Sequence, residues 1–202
     1  ERLPRRDVVQ VLELARMRGT RFIGPNTMGL ISPGKSKVGS IGGPAEDARK
    51  AFTPGPVGIM SRSGGMTTEL ANLLTEHGLG QSTAISIGGD PIIGSSYTEL
   101  LPLFEADPET RAVVIFCEPG GGMEAALARH LKEKGSRLPL VAFIAGHFME
   151  EMPGQRFGHA GSMVEREQDT AREKARLLRE AGVLVAEDLS EVPNLVRKGM
   201  KR

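Results

Sequence analysis

The sequence predicts an α/β domain built on a five-stranded parallel sheet with helices on both faces. Three observations carry this. From residue 56 onward short apolar runs recur: Val57 to Met60, Thr83 to Ile87, Ala112 to Cys117, Leu140 to Ala145 and Val183 to Ala186. These runs lack polar alternation, as strands do when helices cover both faces. Glycine-bearing turns gather at their ends, and a helical pattern follows each run, which is the alternation of βα units in a parallel sheet.

The elements follow in order. Asp7 to Arg18 sets Val8, Val11, Leu12 and Ala15 at helical spacing behind an N-cap at Asp7, and Gly19 ends it. A short strand is expected at Arg21 to Ile23, running into Gly24-Pro25-Asn26-Thr27-Met28-Gly29. Residues 32 to 56 are rich in Gly, Pro and Lys, with a small helix at Ala45 to Phe52, and read as a connector between two units. The expected division is therefore 1–31, 32–55 and 56–202. Beyond it, Ser61-Arg62-Ser63-Gly64-Gly65 opens a helix from about Met66 to His77, and Gly88-Gly89-Asp90 precedes one from about Ser96 to Glu105. Glu118-Pro119-Gly120-Gly121-Gly122 opens a helix from about Met123 to Lys134. A loop containing His159 leads to a charged helix at about Asp169 to Ala181, and the last helix lies near Ser190 to Arg197.

Composition excludes some classes of partner. The 202 residues hold 26 basic and 25 acidic side chains, a net charge of +1. That balance gives no electrostatic case for nucleic acid or a membrane surface. Tryptophan is absent and aromatics make up 4%, too few for base-stacking platforms. Cys117 is the single cysteine and lies inside an apolar run, so no internal disulfide forms and a reducing, cytoplasmic compartment is expected. No apolar run approaches the roughly 18 residues of a spanning helix, and no signal peptide is expected. A start at Glu1 rather than Met fits a fragment or a processed product.

The stretch richest in chemistry is Pro153 to Met163, where glycines at 154, 158 and 161 surround His159. An imidazole among glycines is easy to approach and can serve as base, ligand or nucleophile, or merely cap a loop. Glu118, at the end of a buried strand, faces the same sheet edge and is placed to orient one ring nitrogen; a helix N-cap is its bland alternative. The turn Ser61 to Gly65 offers N–H groups, a helix dipole and two hydroxyls to a phosphate or carboxylate, with Ser61, Ser63, Gly64 and Gly65 as the binding residues. A plain strand-to-helix turn with serine caps would look similar. It is not a Walker loop, since no lysine follows the glycines. Gly88, Gly89 and Asp90 form a second such turn, in which Asp90 can cap, accept hydrogen bonds or approach a cation. His77, His130 and His147 show no metal-ligand spacing, and no metal site is expected.

Gly24-Pro25-Asn26, Ser61-Arg62-Ser63-Gly64, Gly88-Gly89-Asp90-Pro91, Glu118-Pro119-Gly120-Gly121 and Gly158-His159-Ala160-Gly161, in this order, make the chain resemble the α subunit of succinyl-CoA synthetase and its NDP-forming carboxylate–CoA ligase relatives. The resemblance implies a flavodoxin-like ligase domain preceded by the last helix and strand of a Rossmann CoA-binding domain, at roughly residues 7 to 26. Most of that domain is missing from the sequence, so this chain alone is expected to bind CoA poorly. It further implies that His159 is phosphorylated by ATP or GTP, held with Mg2+ mainly by a partner β subunit. The phosphate then passes to a small carboxylic acid, and the thiol of coenzyme A attacks the acyl phosphate. Asn26, Thr68, Gly88, Gly89 and Asp90 would lie on the substrate side. Thr68 stands where succinate enzymes commonly have tyrosine, and Glu165 to Thr170 where they have a glycine-rich segment. Ser63-Gly64-Gly65-Met66 and the long connector are closer to ATP-citrate lyase and citryl-CoA synthetase, so a citrate-specific module is the alternative, and a non-catalytic phosphocarrier or regulatory module of the same fold is another.

Overall fold

The computed structural model describes residues 3–146, 159, 162, 164 and 169–201. The chain enters on helix α1 (Arg5–Met17), of which Val8 alone is buried. No strand forms at Arg21 to Ile23. There the Phe22 carbonyl accepts from the Ser95 hydroxyl at 2.8 Å, and the Gly24 N–H donates to the Ile87 carbonyl at 3.1 Å, so loop contacts take the place of a ladder.

The stretch expected to be a connector joins the sheet. Strands β1 (Gly29–Ser32) and β2 (Ser36–Val38) make an antiparallel hairpin, and β1 also pairs antiparallel with Gln81–Ser86. Helix α2 (Ala45–Ala51) follows, and Ile41, Ala48, Ala51 and Phe52 are buried in the same core as Val57 and Leu70. The gap in the sequence pattern has a simple cause: both strands are too short to show a period.

The rest follows the expected alternation: β3 (Pro54–Ser61), α3 (Gly64–Glu76), β4 (Gln81–Ser86), α4 (Tyr97–Ala106), β5 (Ala112–Cys117) and α5 (Met123–Lys134). Then come β6 (Leu140–Ile144), α6 (Ala171–Glu180), β7 (Leu184–Ala186), a 3-10 turn at Leu189–Glu191 and α7 (Val192–Met200). Local signals set several helix starts. The Ser63 hydroxyl accepts from the Met66 N–H, Ser96 and Glu99 form a capping box, and the Thr170 hydroxyl accepts from the Glu173 N–H.

The seven strands stand in the order β2-β1-β4-β3-β5-β6-β7, and β4-β3-β5-β6-β7 are parallel. Numbered among themselves, the parallel strands read 2-1-3-4-5, the flavodoxin-like order. The central strand shows why its sequence does not alternate. Val113, Ile115 and Cys117 enter one core with α4, α5 and α6, while Ala112, Val114 and Phe116 enter the other with α2, α3 and α7. Each fully buried Leu or Ile in these layers contributes about 2 kcal/mol. The resulting platform carries its functional turns at the carboxyl ends of β3, β4 and β5. In this strand order the chain turns away on opposite sides of β3 and β5, which opens a crevice between them.

Candidate functional site

Glu118 follows directly on β5 and points into that crevice. The His159 Nδ1–H donates to both of its oxygens, at 2.9 Å to Oε1 and 2.8 Å to Oε2, and the Ser162 hydroxyl donates to Oε2 at 2.9 Å. The side chains are largely enclosed, with 24% of His159 and 14% of Glu118 exposed. Burial pushes the Glu118 carboxyl up, but the hydrogen bond and charge of His159, the Ser162 hydroxyl and the nearby Arg62 guanidinium outweigh it. The net shift is downward from the ordinary value, so the carboxylate is ionised and accepts from the ring. Ser162 is itself buried, and its N–H donates to the His159 carbonyl at 3.0 Å.

The imidazole rests on Gly89. A Cβ added there would stand 2.5 Å from the ring's Cγ, so any side chain at this position displaces the ring. Gly88 is equally constrained, with φ of 118° and the Pro25 carbonyl 2.4 Å from an added Cβ. The Gly89 N–H donates to the Asn26 carbonyl at 3.2 Å, and the Gly94 N–H to the Gly24 carbonyl at 2.8 Å. Gly24 to Asn26 thus backs the loop that seats the ring.

The turn after β3 is built from its own residues. Ser61 is buried; its hydroxyl donates to the Ser63 carbonyl and accepts from the Ser63 N–H. Ser63 caps α3, so both hydroxyls are spent on the turn. Among the described residues the Gly64 and Gly65 N–H groups at the start of α3 donate no hydrogen bond, as expected for the first residues of a helix. Met28 lies over Gly64, with its Cγ 2.0 Å from an added Cβ, while Gly65 has nothing within 4 Å. Thr68 is half-buried one helical turn on and makes no hydrogen bond to the imidazole or the carboxylate among the described residues.

Arg62, quoted within the serine motif but given no role there, connects these parts. It is buried; Nε donates to the Gly88 carbonyl at 3.1 Å and Nη2 to the Asp90 carbonyl at 2.9 Å. Nη1 lies beside Gly121. One side chain therefore ties the turns after β3, β4 and β5 together. Asp90 enters through its main chain. The signal that could have found Arg62 is its place between two turn serines at the end of a buried strand, where a long cation has no solvent to reach.

His147, Gly158, Ala160, Gly161 and Glu165 to Gln168 lie outside the described residues. Among the described residues no three His, Cys, Asp or Glu side chains gather as a metal would require, and no helix is long and apolar enough to cross a membrane.

An imidazole on a carboxylate, at the switch point of a doubly wound sheet and beside the start of helix α3, defines an α/β protein whose polar groups converge at one sheet edge. Comparison with known proteins narrows the class. The sequence pattern of the CoA-ligase family matches residues 60–184, and the chain belongs to that family. It is 41% identical over 198 residues to succinate–CoA ligase [ADP-forming] subunit alpha 1 of Archaeoglobus fulgidus, covering 98% of this chain and 65% of that one. It is 42% identical over 190 residues to the malate–CoA ligase subunit alpha of Methylorubrum extorquens, covering 92% of this chain and 61% of that one. The chain thus spans less than two thirds of the curated relatives it matches. Among solved structures, ATP citrate lyase from Methanothrix soehngenii in complex with citrate and coenzyme A superposes with a TM-score of 0.93 at 31% identity, covering 100% of this chain and 33% of that one.

Proposed function

We propose that this chain is the ligase portion of an enzyme that joins a small carboxylic acid to coenzyme A at the expense of a nucleoside triphosphate, through a phosphohistidine at His159. The observation that carries the reading is the ionised Glu118 carboxylate on His159 Nδ1. A neutral imidazole whose Nδ1–H donates a hydrogen bond to a carboxylate has its lone pair on Nε2. Nε2 attacks the terminal phosphorus, the bond to the bridging oxygen breaks, and the nucleoside diphosphate leaves. The ring becomes cationic as the N–P bond forms, and Glu118 stabilises that charge. The phosphoryl oxygens meet the N–H groups of Gly64 and Gly65 at the start of α3.

In the second step a carboxylate oxygen of the acid attacks phosphorus and the N–P bond breaks, giving an acyl phosphate and regenerating neutral imidazole. The CoA thiolate then attacks the acyl carbon, the C–O bond to phosphate breaks, and inorganic phosphate leaves. Residues 1–31 would end the CoA-binding unit and 56–202 form the ligase unit, with Asn26 and Gly88 to Asp90 on the acid's side. A nucleotide-holding β subunit is the expected companion, since relatives are named as alpha subunits. Relatives named for succinate, malate and sulfoacetate, and a citrate lyase of the same fold, put these acids among the candidates.

The test is phosphate incorporation into the full-length protein with its companion subunit and ATP or GTP, followed by chase with each acid and CoA. An acid-labile phosphate on His159, discharged by one of the acids only, is expected. Phosphate that is acid-stable, or that persists through every chase, would replace the ligase with a carrier or regulatory module.

A further inference from the structure

Beneath the turn that carries Glu118 lies a buried pair of charges. Lys174, on the first turn of α6, is 1% exposed, and Glu124, on the first turn of α5, is 0% exposed. Lys174 Nζ lies 2.7 Å from Glu124 Oε2. Among the described residues its hydrogen bonds go to the main chain. Nζ donates to the main-chain carbonyls of Glu118 at 2.7 Å and Gly120 at 2.5 Å. From the same side the Gly120 N–H donates to the Asp169 carbonyl at 2.9 Å.

Stability alone is a poor account of this pair. Burying two charges costs more desolvation than their attraction reliably returns, and apolar residues of similar volume often serve as well or better. Here the return is also incomplete. Among the described residues Glu124 Oε1 has no hydrogen-bond partner, the Cys117 thiol near the carboxylate being a weak donor at most, and Oε2 meets the ammonium at ion-pair distance but outside hydrogen-bond geometry. What an apolar pair could not supply is the two donations to the turn. The turn needs them, because Gly120 and Gly121 at φ of 87° and 68° have no side chains of their own to hold the path.

Resting on the phosphohistidine reading above, we infer that Lys174, anchored by Glu124, is a positioning residue that fixes Glu118 against His159. Lys174 holds the main chain of Glu118, while His159, Ser162 and Arg62 act on its carboxylate. The anchor keeps the ammonium in place, and the two carbonyl bonds carry the effect. Because Lys174 sits on the helix that follows the histidine stretch in sequence, the two partners of the Glu118–His159 contact are fixed by neighbouring parts of the chain.

The experiment uses the full-length protein with its companion subunit and three variants: Glu124→Gln, Lys174→Met, and Lys174→Met with Glu124→Met. Thermal unfolding, the single-turnover rate of His159 phosphorylation, and the downfield proton resonance of the His159–Glu118 hydrogen bond in the resting enzyme are read on each. Glu124→Gln should lose stability and, with the anchor weakened, slow phosphorylation and shift the resonance less than the double variant does, since Lys174 still donates to the turn. The double variant should regain stability but phosphorylate about 100-fold more slowly, the scale of a small misplacement of a reacting group, with the resonance shifted or lost. A double variant with wild-type rate and resonance overturns the inference, leaving the pair a structural one. Where wild type itself takes no phosphate, the phosphohistidine reading falls, and the resonance alone decides positioning: its survival in the double variant refutes it, its loss supports it. Should the double variant not fold, Lys174→Met with Glu124→Leu is judged by the same readouts.

Discussion

The turns that follow β3 and β5 stand side by side at the switch point, both rich in glycine and both opening a helix, yet they are held in opposite ways. Residues 61 to 65 are capped locally: the bonds of the Ser61 and Ser63 hydroxyls stay within the turn and the first residues of α3, and Arg62 reaches outward to the Gly88 and Asp90 carbonyls. Residues 118 to 122 are held from afar, by Lys174, the Asp169 carbonyl, Ser162 and His159. The difference follows from what each presents. A seat for an anion made of main-chain N–H groups is produced by helix geometry and needs only a local cap. A carboxylate that must meet one ring nitrogen needs its backbone fixed, and a glycine-rich turn cannot do that unaided.

Removing the group the two turns share should have the largest effect. His159→Asn is expected to abolish phosphoenzyme and lower ligation by at least about 10^3-fold with the fold intact; residual turnover above that level, measured on the full-length enzyme, would remove His159 from the nucleophile's role. Glu118→Gln breaks the second turn alone. The amide still meets the ring but carries no charge, a loss of roughly 2–4 kcal/mol in transition-state stabilisation, to be read by rapid quench. It also changes acid stability. Despite the upward push of burial, the hydrogen bond and charge of His159 with Ser162 and Arg62 hold Glu118 below the ordinary value of 4.5, so folding favours its ionised form. That contribution is present above the ordinary value and lost as pH falls through the lowered one, and Glu118→Gln should flatten this acid limb in unfolding titrations.

Gly65→Val probes the first turn. Space is open at Gly65, so stability should hold while phosphorylation slows about tenfold, the worth of one hydrogen bond to a charged group. Equal losses in rate and melting temperature would move the anion elsewhere. Ser63→Ala should do least: loss of the cap costs about 1 kcal/mol, a melting-point drop of roughly 2–4 °C for a domain of this size, with phosphorylation close to wild type because the Gly64 and Gly65 N–H groups remain.

The locally capped turn was the legible one. Ser61 to Gly65, the five parallel strands and their helices follow from residues adjacent in sequence, and sequence reasoning finds them. The contact of Glu118 with His159 was expected from shared placement at one sheet edge and is present in the structure. The supports from afar were not read. Lys174 and Glu124 look like ordinary charges on polar helices, yet each lies in an apolar stripe: 174 falls with Ala171, Ala175 and Leu178, and 124 with Leu127, Ala128 and Leu131. At i, i+3, i+4, i+7 spacing a charge belongs to the buried face, and that was the available signal. The hairpin at residues 29–38 was missed because strands this short show no period, and the strand expected at Arg21 to Ile23 yields to side-chain and loop bonds that come from residues 87 and 95.

Because β3 pairs with β4 on one side and with β5 on the other, the crevice has no second wall until Ala112–Cys117 docks beside Pro54–Ser61. Even then its carboxylate stands on an unbraced loop, since the lysine that clasps it arrives more than fifty residues later on α6. During synthesis, which runs from the N-terminus, a chain long enough to have built the turn after β3 still lacks the lysine that braces the turn after β5. Assembly of the Glu118–His159 contact and completion of the parallel sheet therefore come together, once α6 and β7 are in place.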